Sequence, residues 1–336
     1  MSPSPKPCHP VATALTRRRL LLWGGGALAL AGGVLAWRRF DADMAAAERR
    51  IAGASEIVAT RFGTLEYATR GTGPDVLMIH GTGGGFDQGL GLSAPLVRKG
   101  YRVIAPSRFG YLRSDFPEEP SSENQADALA DLLDHLCIQR LAVAGGSAGA
   151  LAAVQFALRH PDRCSALILL VPAANVTGPD PVEMTATQRF LFGHVLGSDV
   201  LFWTMRQLAP RMLVETLLAT DWALLDRVSR RERARAFRIL DEILPVSRRR
   251  RGILNDAKLA GSSLPVVDYR RIAAPTFLLS LEDDRFGTAA TARHLASRIP
   301  DAELVILPKG GHVWLGAEET LFGHLDRFLK RVGRAA

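Results

Sequence analysis

Ala144-Gly145-Gly146-Ser147-Ala148-Gly149 carries the pattern G-x-S-x-G between an apolar run and an alanine-rich one. Leu141-Ala142-Val143-Ala144 reads as a short buried strand, and 148–160 as a helix that stops before Pro161. Ser147 therefore sits where strand hands over to helix. A reversal this sharp strains the backbone at the serine and crowds the neighbouring chain, which the small residues at 145 and 149 relieve. The turn pushes the hydroxyl outward and aims the first N–H groups of the helix at the space in front of it, where they can stabilise an oxyanion. A bare G-x-S-x-G also arises by chance. It gains meaning from a histidine, an acid and a second oxyanion donor in the right places.

Working outward, short apolar runs recur at 57–62, 64–69, 76–79, 101–105, 141–144, 166–171, 276–281 and 303–307. Helical patterns such as 122–136 separate most of them. That alternation predicts a mostly parallel sheet of eight strands with helices on both faces. The stretch between the sixth and seventh runs is far too long for a crossover and is rich in helix-forming apolar residues, so it predicts an inserted helical cap over 174–268. The chain divides into an N-terminal arm and apolar segment at 1–40, a linker at 41–54 and one domain at 55–336.

With G-x-S-x-G after the fifth strand, a cap after the sixth, and an acid and a histidine near the carboxyl end, the chain resembles the α/β-hydrolases from about residue 55 onward. Ser107-Arg108-Phe109-Gly110-Tyr111-Leu112-Arg113-Ser114 is similar to the family's Asp-Arg-x-Gly-x-Gly-x-Ser loop. Ser107 stands in the Asp slot and Leu112 in the second Gly slot. The resemblance implies an α/β-hydrolase fold with a serine nucleophile rather than the carboxylate of dehalogenases and epoxide hydrolases.

A serine hydroxyl needs a base to take its proton and an acid to orient and stabilise that base. His312, in Gly310-Gly311-His312 after the last strand, occupies the base's slot; His80 ends a strand and reads as structural. The acid should leave the strand at 276–281, where Asp283 and Asp284 both qualify. The family's Asp-x-x-x-Pro register favours Asp284, with Thr288 in the proline slot and Asp283 as a turn or capping residue. Asp180 is a more distant alternative. For the oxyanion, one donor is the Ala148 amide, and the other comes from His80-Gly81-Thr82-Gly83, with Thr82 preferred to Gly83. Read instead as a phosphate cradle, His80 to Gly85 lacks the Gly-Lys-Ser/Thr ending of a P-loop.

The net charge of +8 is mostly terminal: residues 1–40 carry Lys6, Arg17, Arg18, Arg19, Arg38 and Arg39 with no acid. Global basicity is therefore no sign of nucleic-acid binding. Thr16-Arg17-Arg18-Arg19 precedes an uncharged run at 20–37, a pattern similar to a twin-arginine export signal. The run reads equally as a removed signal or a retained membrane anchor; the positive charges flanking it are balanced, and the twin-arginine likeness favours a domain outside the cytoplasm over a cytoplasmic orientation. Cys137 and Cys164 read as small core residues, and no Cys/His spacing suggests a metal site or a cofactor.

Residues 227–251 hold ten arginines against Glu232, Asp241 and Glu242, ordinarily a solvated helix face but also a patch suited to anionic lipid headgroups. Phe190, Phe192, Phe202, Trp203, Met205, Trp222, Phe86, Phe109 and Trp314 are candidates for an apolar pocket, although most would simply pack the core. Of these, Trp314 is the one expected to reach substrate. The leading expectation is a serine hydrolase acting on an ester of a small, largely apolar molecule. A carbon–carbon bond hydrolase is the alternative within the fold, since the His-Gly-x-Gly loop is similar to those of ring-fission-product hydrolases. A catalytically silent binding protein is the alternative outside enzymology.

Overall fold

The computed structural model describes residues 12–174, 186–260 and 267–335. Residues 1–46 form one compact unit and 47–336 another. Helix α1 (Ala12–Ile51) is continuous through the stretch expected to be a linker, because 41–51 is dominated by alanine and long straight-chain residues that favour helix. Among the described residues no helix is long and apolar enough to cross a membrane. The side chains of 20–30, most of the run read as a signal or anchor, lie outside those residues.

Eight strands form one sheet in the order β1-β2-β4-β3-β5-β6-β7-β8. They are β1 (Glu56–Thr60), β2 (Gly63–Arg70), β3 (Asp75–Ile79), β4 (Arg102–Pro106), β5 (Leu141–Gly146), β6 (Cys164–Leu170), β7 (Thr276–Leu281) and β8 (Ala302–Leu307). The first three pairings across β1, β2, β4 and β3 include the two antiparallel ones, and everything from β4 through β3 to β8 runs parallel.

Side-chain alternation divides the core between the two faces of the sheet. Leu77, Ile79 and Val143 point to the face covered by α4 (Ser122–His135) and α5 (Gly149–Arg159), against Leu129, Leu133 and Phe156. Val76, Met78 and Ala144 point the other way, toward Phe86, Phe322 and Phe328. Both faces are apolar, which is why these strands read as unbroken hydrophobic runs. The second face is covered by α2 (Phe86–Leu92), α3 (Ala94–Arg98) and, at the carboxyl end, α12 (Glu318–Ala335), while α11 (Thr288–Ala296) follows β7.

Between β6 and β7 the described residues form the cap: α6 (Ala186–Gly193), α7 (Asp199–Leu208), α8 (Pro210–Thr216), α9 (Arg230–Asp241) and α10 (Arg250–Ala260), with short 3-10 turns among them. Ser198 and Ser229 cap α7 and α9 by accepting the Leu201 and Glu232 amides. One sequence expectation needs correction. Cys137 is exposed, at a positive-φ position just past the end of α4, where the chain turns toward β5. Cys164 is buried, which pushes its thiol up to about 12, and both cysteines are free.

The β5–α5 junction tolerates no added bulk. A Cβ on Gly149 would lie 2.4 Å from the Ile79 carbonyl oxygen and 2.6 Å from that of His80. One on Gly145 would lie 2.6 Å from the Gly149 oxygen. These are backbone atoms and cannot swing aside. Gly149→Ala should therefore destabilise the domain by about 1–3 kcal/mol despite alanine's better helix propensity. Urea denaturation checks this; unchanged or increased stability would show that the junction can relax.

Candidate active site

Ser147 has φ +50°, in the left-handed region that β-carbon-bearing residues rarely adopt. Its amide donates to the Leu170 carbonyl at 2.9 Å, and its carbonyl accepts from Ala150 and Ala173 at 3.0 and 3.1 Å. These bonds on both sides of the residue hold the turn and project the side chain off the carboxyl end of β5.

His312 Nε2 lies 3.0 Å from Ser147 Oγ, and His312 Nδ1 lies 2.8 Å from Asp284 Oδ2. With Nδ1–H donated to the carboxylate, Nε2 is left to accept from the serine. Burial alone would raise the Asp284 carboxyl. The neighbouring His312 and hydrogen bonds from His312, Thr288 Oγ1 and the Phe286 amide outweigh it and hold the group below the usual carboxylate range. Thr288, in the slot expected to hold proline, thus supplies a donor that proline lacks. Asp283 has a different position: its two oxygens accept the Gly310 and Gly311 amides at 3.1 and 2.8 Å and so hold the loop that carries His312. The Phe286 ring stands edge-on to the imidazole, 4.9 Å between centroids. Asp180 lies outside the described residues.

The loop after β3 faces the serine closely; a Cβ on Gly81 would lie 3.1 Å from Ser147 Cβ. The Gly83 amide donates to the Tyr111 hydroxyl at 3.3 Å. The Thr82 and Ala148 amides have no protein hydrogen-bond partner among the described residues. His80 is fully buried; burial, then the Arg108 charge, push its pKa far down, so the ring is neutral. It donates from Nδ1 to the Gly81 carbonyl at 2.7 Å and accepts the Arg108 amide at Nε2 at 2.9 Å. This is a structural role.

In the neighbouring 107–114 loop, Ser107 Oγ donates to buried Glu66 and accepts the Phe86 amide. Leu112, standing where the family pattern has glycine, takes φ +51°. The strain that glycine would avoid is accepted here, with the Leu112 amide donating to the Arg248 carbonyl of the cap at 2.7 Å.

Several expected pocket residues are core residues instead. Trp314 is 2 % exposed and packs among the residues under α12, with the Arg235 guanidinium 6.0 Å from its ring. The backbone at 314 is left-handed, at φ +46°, and the side chain is buried in the core. Phe86 and Phe202 are buried as well, and Trp222 packs edge-on against Phe237. The side chain of Phe192 lies outside the described residues. Phe109, with Ala148, Leu151, Asn255 and Leu259, lines a crevice of about 20 Å³ between α5 and α10.

The arginine-rich stretch also divides. Arg249 is fully buried and paired with Asp87, and Arg235 turns inward to Glu232 and the Val313 carbonyl. Arg227, Arg230, Arg231, Arg233, Arg238, Arg248, Arg250 and Arg251 are exposed.

A profile described as the alpha/beta hydrolase fold matches residues 74–315. The 2-hydroxy-6-oxononadienedioate/2-hydroxy-6-oxononatrienedioate hydrolase of Paraburkholderia xenovorans is 30 % identical over 80 % of this chain and 89 % of its own length. Among solved structures, an alpha/beta hydrolase fold protein from Nakamurella multipartita is 26 % identical with a TM-score of 0.65, covering 83 % of this chain and 99 % of its own. A membrane phospholipase A, a bacterial virulence factor, is 25 % identical with a TM-score of 0.61 and covers 95 % of this chain and all of its own.

Beside the site, where α9 ends, the Glu242 carboxyl is pushed from its ordinary 4.5 up to about 7 by burial and then by Asp87, against the opposing charges of Arg50, Arg238 and Arg249. The folded chain therefore holds a proton between about pH 4.5 and 7 that the unfolded chain has released. The contribution of Glu242 to stability falls as pH rises through that window. Glu242→Gln should flatten that descent, seen as melting temperatures that vary less between pH 4.5 and 7 than in the unsubstituted protein. Parallel curves for the two proteins would contradict it.

Proposed function

Because the chain belongs to the α/β-hydrolase family, we propose that it cleaves a carboxylic ester of a largely apolar or amphiphilic substrate through an acyl-enzyme on Ser147. The observation that carries this reading is the unbroken relay Ser147–His312–Asp284, at 3.0 and 2.8 Å. Ser147 Oγ attacks the ester carbonyl as His312 Nε2 takes its proton, and Asp284 stabilises the imidazolium. The Thr82 and Ala148 amides receive the tetrahedral oxyanion. Collapse breaks the acyl–oxygen bond, and the proton on His312 goes to the leaving alcohol. Water then gives a proton to His312, attacks the acyl carbon and releases the acid, and Ser147 recovers its proton. No cofactor or metal enters these steps.

A second reading, hydrolysis of a carbon–carbon bond, is supported by similarity to the 2-hydroxy-6-oxononadienedioate/2-hydroxy-6-oxononatrienedioate hydrolase reported above. A binding protein with no activity would have no use for a serine, base, acid and two free amides so aligned. A fluorophosphonate probe should label the protein, and Ser147→Ala and His312→Ala should abolish labelling. Asp284→Asn should lower kcat on a p-nitrophenyl ester by about 10⁴-fold. Asp283→Asn should cost far less, because Asp283 holds backbone amides and not the imidazole. No labelling of the folded protein would favour the silent reading. Turnover of a 2-hydroxy-6-oxo-dienoate without ester turnover would favour the second.

We further propose that the domain is exported and apposed to a membrane, anchored through 20–37 where that run is retained. Thr16-Arg17-Arg18-Arg19 ahead of the uncharged run supports this, as does likeness to a membrane phospholipase A over 95 % of the chain. The cap adds exposed Leu201, Leu208, Val200 and Phe190 to its exposed arginines, the combination that binds an anionic interface. The full chain should float with phosphatidylglycerol vesicles more than with phosphatidylcholine vesicles. Equal recovery would remove the role given to the arginines.

A further inference from the structure

We infer that Asp256, on the cap helix α10, is a positioning residue that fixes the oxyanion loop, so that docking of the cap and assembly of the oxyanion hole are one event. This rests on the serine-hydrolase reading above. Asp256 is buried, and four donors converge on it. Arg108 Nη1 and Nη2 reach its two oxygens at 2.7 Å each, Tyr111 Oη donates to Oδ2 at 2.6 Å, and Thr82 Oγ1 donates to Oδ2 at 2.9 Å.

Each donor is tied to the loop at 80–84. Thr82 belongs to it. Tyr111, kept protonated by burial and by Asp256, accepts the Gly83 amide, and the Arg108 amide is accepted by His80. The same helix presses on Tyr111 from above, since a Cβ on Gly252 would lie 2.1 Å from its ring. A second cap residue grips the loop from its far end: Arg249 Nη1 donates to the Gly84 carbonyl at 2.5 Å while pairing with Asp87.

The pattern of satisfied and unsatisfied groups gives the contacts a purpose. The Gly81 carbonyl, the Thr82 hydroxyl, the Gly83 amide and the Gly84 carbonyl are all engaged, by His80, Asp256, Tyr111 and Arg249. The Thr82 amide is left over, beside a serine whose β-carbon is within van der Waals reach of the loop. A backbone donor cannot be aimed by its own side-chain rotamer; it is aimed by fixing the peptides on either side. Asp256 does this from outside the catalytic domain's own loops. Without the cap in place, Arg108, Tyr111 and Thr82 lose their common acceptor and the loop loses its register.

Thr82→Val and Asp256→Asn test this, with Thr82→Ser as the rescue, a p-nitrophenyl ester as substrate and a trifluoromethyl ketone as the analogue whose hemiketal oxygen fills the oxyanion hole. Thr82→Val removes one contact to Asp256 and leaves the Arg108–Asp256 pair intact, so it decides the matter even if Asp256→Asn does not fold. Removing an oxyanion donor outright costs about 10²–10³-fold in kcat, so a donor that is merely misaimed should cost about 10–100-fold. We expect kcat to fall by that factor with KM little changed, the ketone's Ki to rise in proportion, and Thr82→Ser to restore both. Values of kcat and Ki within about twofold of the unsubstituted enzyme in folded Thr82→Val would overturn the inference alone. So would a change in KM with Ki unmoved. An unsubstituted protein inert to ester, ketone and fluorophosphonate would overturn the hydrolase reading, and this inference with it.

Discussion

A serine held at φ +50° is an unfavourable conformation, and the surrounding structure is arranged so that it cannot relax. Relaxation would require the peptide after Gly146 to rotate, which would break the bond from the Ser147 amide to Leu170 and the bonds its carbonyl accepts from Ala150 and Ala173. It would also move α5, whose first residue already lies against the carbonyls of Ile79 and His80 with no room for a side chain. Strand β6, strand β3 and the helix all meet at this turn. The parallel sheet is thus the frame that keeps a strained residue strained, and every other group of the site is placed relative to it.

That dependence explains what could be read from the sequence. The strand at 276–281 was legible to the residue because a fully buried strand must be apolar throughout, with Thr276 and Ser280 paired internally to the Ala274 carbonyl and to Thr288. The elbow was legible because its close approaches demand glycine. Asp284 was preferred over Asp283 through a spacing, and the distances now give the two carboxylates separate partners: an imidazole for one and two backbone amides for the other. The features missed have no local signature. Asp256 is the sole acid between Glu242 and Asp268, a signal in hindsight, yet its partners lie some 145 to 174 residues away. Trp314 was misjudged because nearness to His312 in sequence says nothing about the left-handed backbone at 314 itself.

The arginines of the cap illustrate a related limit. In sequence, Arg248, Arg249, Arg250 and Arg251 are four equivalent charges. In the fold, Arg249 is completely buried and paired, while its neighbours are exposed. The difference follows from position: at the start of α10 a single residue points at Asp87 and the Gly84 carbonyl, and burying its charge is tolerable only because both are there to meet it. A run of like charges therefore mixes parts of the fold with parts of the surface, and only the latter are available to a partner.

The cap and the catalytic domain then have an asymmetric relation. The relay of serine, histidine and acid is built from residues that follow β5, β7 and β8, and its hydrogen bonds involve no residue of the cap. The oxyanion loop, by contrast, takes its anchors from α10 and the residue just before it. The loop that carries His312 meets the cap beyond the imidazole, where α9 bonds the Val313 and Trp314 carbonyls through Arg235 and the Gly316 amide through Glu232. If the cap lifts to admit substrate, the oxyanion loop loses its direct anchors while the bonds of the relay lose no partner of their own, so commitment to reaction waits on the cap's return. The step that excludes water and the step that completes the site are then the same motion.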